Sequence, residues 1–246
     1  MNYDGLAPAD LAARLRAPGC LSLESVTSTM DIIHELAAEG APAGTVVLAD
    51  EQIAGRGRQG RQWHSPRGCG IWLGYLVRPS RATENSVLSL RVGLAIAKTL
   101  DDLGVQAQLK WPNDVLVRNR KLSGVLCEAR WAADRLSWVA IGIGLNVTGP
   151  LPPDIASHAI ALSEVDPDLS RVRVLERLVP RLHSLGEAPT LADPEREDYA
   201  RRDWLAGRAL SEPAQGTARG VDAQGALLVE TVKGIQRVVG GSVVCS

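Results

Sequence analysis

Long apolar runs are missing from this sequence of 246 residues. Each apolar stretch is interrupted by Arg, Lys or Asp well before the ~18 residues that a membrane-spanning helix requires. Residues 1–16 carry Asp4 and Asp10 and have no apolar core, so they do not predict a signal peptide. These absences argue against a membrane protein and a secreted protein, and they favour a cytoplasmic one.

Paired cysteines and an excess of positive charge are missing too. Cys20, Cys69, Cys127 and Cys245 are far apart, and none belongs to a CxxC pair. This spacing excludes a zinc site that could be recognised from sequence and argues against a disulfide framework. The formal net charge is −1, so no general field would attract nucleic acid. Binding of an anion would therefore depend on a local cluster of arginines.

The composition is that of a folded protein. Hydrophobic residues make up 45% and charged residues 22% of the chain, which argues against intrinsic disorder. A chain of this length can bury roughly 70–75% of its unfolded surface and needs no disulfides or metal for stability. The length fits one large domain, or one large and one small domain.

Local patterns predict alternating helices and strands in most of the chain. Apolar spacing predicts helices at 8–16, 30–39, 83–103 and 172–185, with a short helical stretch before 205. Apolar and β-branched runs predict strands at 21–23, 45–50, 71–77, 106–110, 114–117, 121–128 and 136–147. From about residue 207, short strands separated by glycine turns predict a small β-barrel of four or five strands that docks on the main domain.

The stretch GRGRQG at 55–60 matches the letters G-x-G-x-x-G but not their structural context. A dinucleotide-binding loop leads directly into a helix, whereas Pro66, Gly68 and Gly70 forbid a regular helix here. A Walker A loop is excluded as well, because the Gly-Lys-Ser/Thr ending is absent. The dinucleotide-binding interpretation is therefore rejected.

An anion-binding loop is the remaining functional interpretation of this stretch. Glycines allow successive backbone N–H groups to face an anion, and Arg56, Arg58 and Arg61 add charged donors for a carboxylate or phosphate. Three like charges on one loop repel each other unless an anion is bound, so we expect the loop to become ordered around its ligand. A solvated arginine-rich loop is the alternative.

Three later stretches place polar residues or glycines at strand ends. A proline turn makes Asn113 and Asp114 project from a strand, where Asn can bind an adenine edge and Asp can hold Mg²⁺ or an ammonium group. Lys121 begins a strand after a predicted hairpin turn. Gly142 and Gly144 would allow close approach of a ligand or of another backbone. Taken singly, these features also fit an ordinary turn, a solvated lysine and a β-bulge.

Together these stretches resemble the biotin protein ligase family. The motifs that carry the resemblance occur in the family's order: STM at 28–30, Gln52 with GRGRQGRQW at 55–63, KWPNDVLV at 110–117, RKLSGVLCE at 120–128, IGIGLNV at 141–147 and VDAQGALLVET at 221–231. The resemblance extends from about residue 22 to the end. It implies an α/β mixed-sheet catalytic domain of the biotin/lipoate ligase type at 1–205 and an SH3-like β-barrel at 206–246.

The resemblance also implies a two-step reaction with ATP, biotin and Mg²⁺. Biotin is activated as biotinyl-5′-AMP, and the biotinyl group is then transferred to one lysine of the biotin carboxyl carrier protein of acetyl-CoA carboxylase. The implied catalytic residues are Arg58, Lys121 and Asp114, of which Asp114 would serve the metal or orient the attacking amine. The implied biotin contacts are Ser28, Thr29, Gln52, Gly55, Arg56, Gly57, Arg58, Lys121 and Gly124. The implied ATP contacts are Arg58, Arg61, Trp63, Asn113, Lys121 and Asn146.

Partners follow from the resemblance and from what precedes the first strand. Some family members carry an N-terminal DNA-binding domain, but about 20 residues are too few for one. We therefore expect a short form with no nucleic-acid or membrane partner. Relatives can pair through the edge of the catalytic sheet, and the sequence leaves a homodimer open. The alternative functions are a lipoate or octanoate ligase or transferase, and a non-catalytic binding protein that is either a biotin sensor or a repressor that retains the site.

Overall fold

The structure, a computed structural model, describes residues 1–79, 85–132 and 135–246. The helices within these ranges are α1 (Pro8–Leu15), α2 (Thr29–Ala38), α3 (Asn85–Asp101), α4 (Arg171–His183) and α5 (Asp193–Arg202). Each predicted helix is confirmed, although the first two residues of the predicted helix 83–103 lie outside the described residues. Ser28 caps α2 by accepting a hydrogen bond from the backbone N–H of Met30, as its residue type favours.

One mixed sheet holds the first seven strands of the described chain. They are β1 (Cys20–Val26), β2 (Val46–Gln52), β3 (Gly70–Val77), β4 (Gln108–Lys110), β5 (Asp114–Val117), β6 (Arg120–Ala132) and β7 (Arg135–Asn146). Their order across the sheet is β1-β2-β3-β7-β6-β5-β4. Only the β1–β2 pair of these seven strands is parallel. The implied mixed sheet is confirmed.

A tight hairpin joins β5 to β6 and fixes the relative positions of several candidate site residues. Arg118 and Asn119 form its tip with φ values of 50° and 61°, the left-handed region that two-residue hairpin turns require. The predicted hairpin is therefore confirmed. In the β5–β6 register Asp114 lies opposite Gly124, and Leu116 lies opposite Lys121. Because successive side chains alternate between the faces, Asp114 and Leu116 share one face of the sheet.

The strands bury residues on both faces of the sheet. On one face Val46 and Leu48 join the main core with residues of α1, α3 and α4. On the other face Val47 packs with Met30 and Ile33 of α2. This alternation has the period of two expected for a sheet covered on both sides. Since α2 is short, it covers only part of its face, and the uncovered part carries the site.

A second, antiparallel sheet holds the remaining strands of the described chain. These are β8 (Ala209–Glu212), β9 (Gly216–Val221), β10 (Leu227–Thr231), β11 (Gly234–Val238) and β12 (Val244–Cys245), in the order β11-β10-β9-β8-β12. The predicted series of short strands is confirmed. Among the described residues no ladder joins β11 to β12, so the sheet is not closed into a barrel by that pair.

Two further findings concern the described residues. None of the helices in the described ranges is long and apolar enough to cross a membrane. The cysteines Cys20, Cys69, Cys127 and Cys245 are all free.

Candidate active site

A cavity of about 690 Å³ opens over the part of the sheet that α2 leaves uncovered. Its floor includes Gly124 of β6 and Gly144 of β7, which are direct cross-strand neighbours. Its walls come from the first turn of α2, from the segment 53–69 between β2 and β3, and from the start of β5. The cavity brings together these predicted site residues: Ser28, Thr29, Gln52, Arg56, Gly57, Arg58, Arg61, Trp63, Asn113, Asp114, Lys121, Gly124 and Asn146.

Gly55 is the predicted site residue that does not line this cavity. It is buried behind the loop, where an added Cβ would lie 2.7 Å from Ser65 Oγ and would also overlap the carbonyl oxygen of Trp63. Its backbone carbonyl accepts a hydrogen bond from the N–H of Trp63 at 2.8 Å. Glycine is therefore required at this position by close packing within the loop.

Gln52, at the end of β2, connects α2 to the loop. Its Oε1 accepts from the backbone N–H of Thr29 at 2.9 Å and from Thr29 Oγ1 at 3.1 Å. Its Nε2 donates to Ser65 Oγ at 2.8 Å. These bonds fix the amide group and leave one of its hydrogens, together with the lone pairs of Thr29 Oγ1, for a polar ligand.

The arginine-bearing loop folds back on itself as a narrow hairpin. Its arms are joined where the N–H of Gly57 donates to the carbonyl of Arg61 at 2.7 Å. At its tip, Gln59 and Gly60 have φ values of 58° and 71°. Because the backbone is internally hydrogen-bonded, the loop presents its arginines from a defined framework.

The loop arginines have different surroundings. Arg58 is half-buried, and its guanidinium lies 3.4 Å from Asn113 Oδ1. Burial, followed by the charge of Arg61, lowers the pKa of Arg58 from its ordinary value. Arg61 is exposed and donates to Ser242 Oγ, near the C-terminus, at 3.4 Å. Arg56 pairs with Asp31 on α2. Arg58 is therefore the loop cation that an anion in the cavity would stabilise most.

Lys121 and Asp114 form an ion pair in the cavity wall. The Lys121 Nζ lies 2.7 Å from Asp114 Oδ1 and 5.1 Å from the centre of the Trp63 ring. Asp114 is the only carboxylate among the described residues that line the cavity. Within those residues no group of three or more His, Cys, Asp or Glu could hold a metal ion. Any divalent ion here would therefore need most of its ligands from elsewhere.

The Trp63 indole lies against the glycine floor. A Cβ at Gly124 would come within 2.9 Å of the ring, and one at Gly144 would overlap it. The predicted close approach at Gly144 is thus made by a side chain from the loop. The Trp63 Nε1 is buried and has no hydrogen-bond partner within the described part of the chain. A buried indole N–H without a partner is costly, so an acceptor on a ligand would be favourable there.

Several lining residues were not among the predicted site residues. Lys110, Asn119, His158 and Trp204 also face the cavity. Trp204 Nε1 donates to Asn119 Oδ1 at 2.9 Å, and Lys110 Nζ lies 5.2 Å from the Trp204 ring centre. Lys110 precedes the predicted WPND turn, so its position was a usable signal. His158 and Trp204 come from distant segments and carry no local pattern that could have found them.

Comparison with known proteins identifies the family of this chain. Residues 22–146 match the biotin/lipoate A/B protein ligase family, and residues 207–245 match the biotin protein ligase C terminal domain. The chain is 33% identical to the bifunctional ligase/repressor BirA of Bacillus spizizenii over 87% of this chain and 70% of that protein. It is 34% identical to the biotin--[acetyl-CoA-carboxylase] ligase of Mycobacterium tuberculosis over 83% of this chain and 80% of that protein.

A solved structure is similar over nearly the whole molecule. The biotin protein ligase from Aquifex aeolicus in complex with biotin and ATP aligns with a TM-score of 0.75 and 28% identity, covering 93% of this chain and 99% of that chain. Sequence and fold therefore lead to the same group of proteins.

Proposed function

The chain belongs to the biotin/lipoate A/B protein ligase family, and on that premise we propose that it is a biotin protein ligase. It activates biotin with ATP as biotinyl-5′-AMP and transfers the biotinyl group to a lysine of the biotin carboxyl carrier protein of acetyl-CoA carboxylase. The observation that carries this proposal is one cavity that gathers the loop arginines, Lys121 and the Asn113-Asp114 turn. Its relatives' names support biotin as the acid and the carboxylase as the acceptor.

The first step joins two anions, so fixed positive charge is needed between them. A carboxylate oxygen of biotin attacks the α-phosphorus of ATP, and the bond to the β-phosphate oxygen breaks to release pyrophosphate. Arg58 and Lys121 are placed to lower the repulsion between the carboxylate and the phosphate. Arg61, nearer the solvent, would meet the phosphates from the loop side, and Trp63, Asn113 and Asn146 would bind the nucleotide.

Biotin itself would lie toward α2 and the glycine floor. Ser28, Thr29 and Gln52 offer hydroxyl and amide groups suited to the polar ureido ring. The adjoining floor at Gly124 carries no side chain, so the rest of the molecule would lie close to the β6 backbone, beside the Trp63 ring that packs there.

In the second step the ε-amine of the acceptor lysine attacks the carbonyl carbon of the adenylate, AMP leaves and an amide forms. The lysine ammonium must lose one proton to solvent before it attacks and a second as the amide forms, and Asp114 is the carboxylate among the described lining residues that would orient the amine. The loop over the cavity would limit access of water, which would otherwise hydrolyse the mixed anhydride.

Mg²⁺ would enter with ATP. It would neutralise phosphate charge, and in nucleotide sites it is commonly bound by one or two carboxylates, substrate phosphates and water. A single carboxylate, Asp114, fits such an ion, with the amide oxygens of Asn113 and Asn146 as further oxygen donors. The residues present therefore suit an ion carried mainly by the nucleotide.

The finer assignments belong to the same proposal. Residues 1–205 would form the catalytic domain and 206–246 the C-terminal domain, a division supported by the second sheet, which begins at Ala209. The acceptor would be a carrier domain, and the reaction would take place in the cytoplasm. The absence of a nucleic-acid or membrane partner stays a prediction from the sequence, and a homodimer stays open.

Pyrophosphate exchange into ATP tests the proposal directly. The intact protein is incubated with Mg²⁺ and ATP together with biotin, lipoate, octanoate or no acid. We expect exchange with biotin alone, followed by a mass increase of one biotinyl group on a carrier-domain substrate. Exchange with lipoate or octanoate instead would overturn the substrate. Biotin binding in calorimetry without any exchange would favour the sensor.

A further inference from the structure

Arg56 lines the cavity, but its guanidinium pairs with two carboxylates, Asp31 and Glu128, that do not line it. Arg56 forms an ion pair with Asp31 in the first turn of α2. Its Nε also lies 4.0 Å from Glu128 Oε1 on β6. The side chain of one loop residue therefore contacts two carboxylates, which belong to two different elements.

These contacts give the loop a second attachment to the same helical turn. Gln52, at the base of the loop, is bonded to Thr29, the first residue of α2. Asp31 lies two residues further along that turn and binds Arg56, part of the way up the loop. Because Gln52 belongs to β2, its bond would persist if the loop opened. The Arg56 contacts would be lost, because they join the loop to α2 and β6.

Glu128 is held in place by His34, which is in turn hydrogen-bonded to Trp138. The indole N–H of Trp138 donates to Nδ1 of His34 at 2.9 Å, which leaves the hydrogen of a neutral imidazole on Nε2. That Nε2 lies 2.9 Å from Glu128 Oε2. The hydrogen bond from His34, with the charge of Arg56, lowers the pKa of Glu128. Glu128 thus presents a charged, oriented carboxylate to Arg56.

We propose that Asp31 and Glu128 are positioning residues that hold the arginine loop closed over the bound adenylate by pairing with Arg56. This inference rests on the proposed function, because it assigns a role to the loop during that reaction. The side chain of Arg56 then acts through the loop, which differs from the biotin contact that the resemblance implied for it, whereas Arg58 acts on the ligand. Within the GRGR segment, Arg58 thus faces the substrate, whereas Arg56 keeps the loop closed over the cavity.

The strength of the contact suits a closure that must be reversed in every turnover. Arg56 and Asp31 are each more than a third exposed, and exposed ion pairs contribute a stabilisation that corresponds to at most about a 5-fold change in an equilibrium. The second carboxylate, Glu128, adds to this stabilisation without making the loop permanently closed. These pairs therefore shift the loop equilibrium toward the closed form by only a few fold, so product can still leave.

The rate at which adenylate escapes is the measurement that tests the proposal. The protein is loaded with biotin and Mg²⁺-ATP and freed of excess ligand, and release is followed by labelling of lysines on a bystander protein without a carrier domain. We expect Asp31→Asn and Glu128→Gln each to raise the release rate about 2- to 5-fold. Pyrophosphate exchange at saturating biotin should change less than about 2-fold, because neither carboxylate touches the reacting atoms.

A double-mutant cycle separates positioning from general structural damage. In an Arg56→Gln background, Asp31→Asn and Glu128→Gln should have no further effect on release. Asp31→Glu, which keeps the charge, should retain slow release. The matched control is Glu24→Gln, which breaks the 2.6 Å pair between Glu24 and Arg67 at the far end of the same segment and should leave release unchanged.

Two results would overturn the proposal. One is a release rate that Asp31→Asn and Glu128→Gln leave at the parent value. The other is an effect of equal size with and without Arg56, since the carboxylates would then act through another partner. If the parent protein shows no biotin-dependent pyrophosphate exchange, the proposed ligase function fails. The exchange assay on the parent protein therefore distinguishes that failure from a failure of the loop proposal.

Discussion

At Gly144 the absence of a side chain decides where a tryptophan of the loop can lie. The Trp63 ring occupies the space that a Cβ at Gly144 would need. The same ring contacts the Gly124 position and lies near the Lys121 ammonium. One glycine of β7 therefore controls the position of the loop, the floor of the cavity and the surroundings of a proposed catalytic cation.

We expect Gly144→Ala to displace the Trp63 ring and to lower biotin-dependent pyrophosphate exchange about 10-fold. Overpacking of this kind costs about 1–3 kcal/mol when neighbours must move. Gly93→Ala on α3 is the matched control, because its Cβ would meet only Leu109 Cδ2 at 3.5 Å. The control should keep its activity and gain up to about 1 kcal/mol from helix propensity. Equal exchange rates in both variants would contradict the assigned packing.

Lys121 carries the sharpest prediction for the chemical step. Lys121→Ala removes the cation that is paired with Asp114 and would leave the carboxylate and phosphate to repel each other. We expect the exchange rate to fall about 10²–10³-fold, the range seen when one preorganised electrostatic contact is lost. The melting temperature should change little, because Lys121 is only partly buried. An unchanged exchange rate would remove Lys121 from the site.

Among the elements, those set by local signals were the predictable ones. The Ser28 cap predicts the start of α2, and the turn at 118–120 predicts the hairpin between β5 and β6. The place of β7 between β3 and β6 could not be predicted, because hydrophobic periodicity reports burial and not pairing partners.

The candidate site shows the same division. Residues within the glycine, WPND and KLSG motifs were predictable, since each motif is continuous in sequence. Trp204 and His158 reach the cavity only through the long-range packing of the α5–β8 link and of the loop before Ile160. No periodic pattern marks either of them.

The junction between α5 and β8 contains a titratable group that predicts a pH dependence. Burial raises the pKa of Asp203 from 3.8 to about 6, although the backbone N–H groups of Leu205 and Ala206 oppose this rise. Its Oδ2 is buried without a hydrogen-bond partner among the described residues. The folded form therefore binds the proton more tightly than the unfolded chain. Asp203 thus lowers stability as the pH rises from about 4 to about 6.

We expect Asp203→Asn to stabilise the protein by about 1–3 kcal/mol at pH 7.5 and by much less at pH 4. Asparagine keeps the oxygen that accepts from the N–H of Leu205 and cannot ionise. The free energy of unfolding in urea, measured for both proteins at both pH values, checks this. A gain that is the same at the two pH values would show that the ionisation of Asp203 is not its cause.

At the scale of the whole molecule, the two sheets share a hydrophobic core within the described residues, and a buried hydrogen bond joins the β4–β5 turn to the β9–β10 turn. Leu210, Leu227 and Val229 of the second sheet belong to the same hydrophobic cluster as the first. Trp111, which is 1% exposed, donates from Nε1 to the carbonyl of Gly225 at 2.9 Å. Because Trp111 precedes the Asn113-Asp114 turn, the C-terminal sheet supports the wall of the candidate site.

Trp111→Phe should weaken this connection without unfolding either part. The loss of the N–H donor leaves the Gly225 carbonyl unpaired in a buried position and costs about 1–3 kcal/mol. For a chain of this size, that lowers the melting temperature by roughly 2–10 °C. Trp131→Phe is the matched control, since Trp131 is 56% exposed and surface changes usually stay within about 0.5 kcal/mol.

The form of the unfolding transition shows whether the two sheets unfold as one unit or as two. A shared core predicts a single cooperative unfolding step in circular dichroism. It also predicts that the amide hydrogen-exchange rates of 207–246 change in parallel with those of β6 and β7. If Trp111→Phe instead made 207–246 exchange first while β6 and β7 kept the parent rate, the second sheet would be an independent unit. The Asn113-Asp114 turn would then have to be positioned by the first sheet alone.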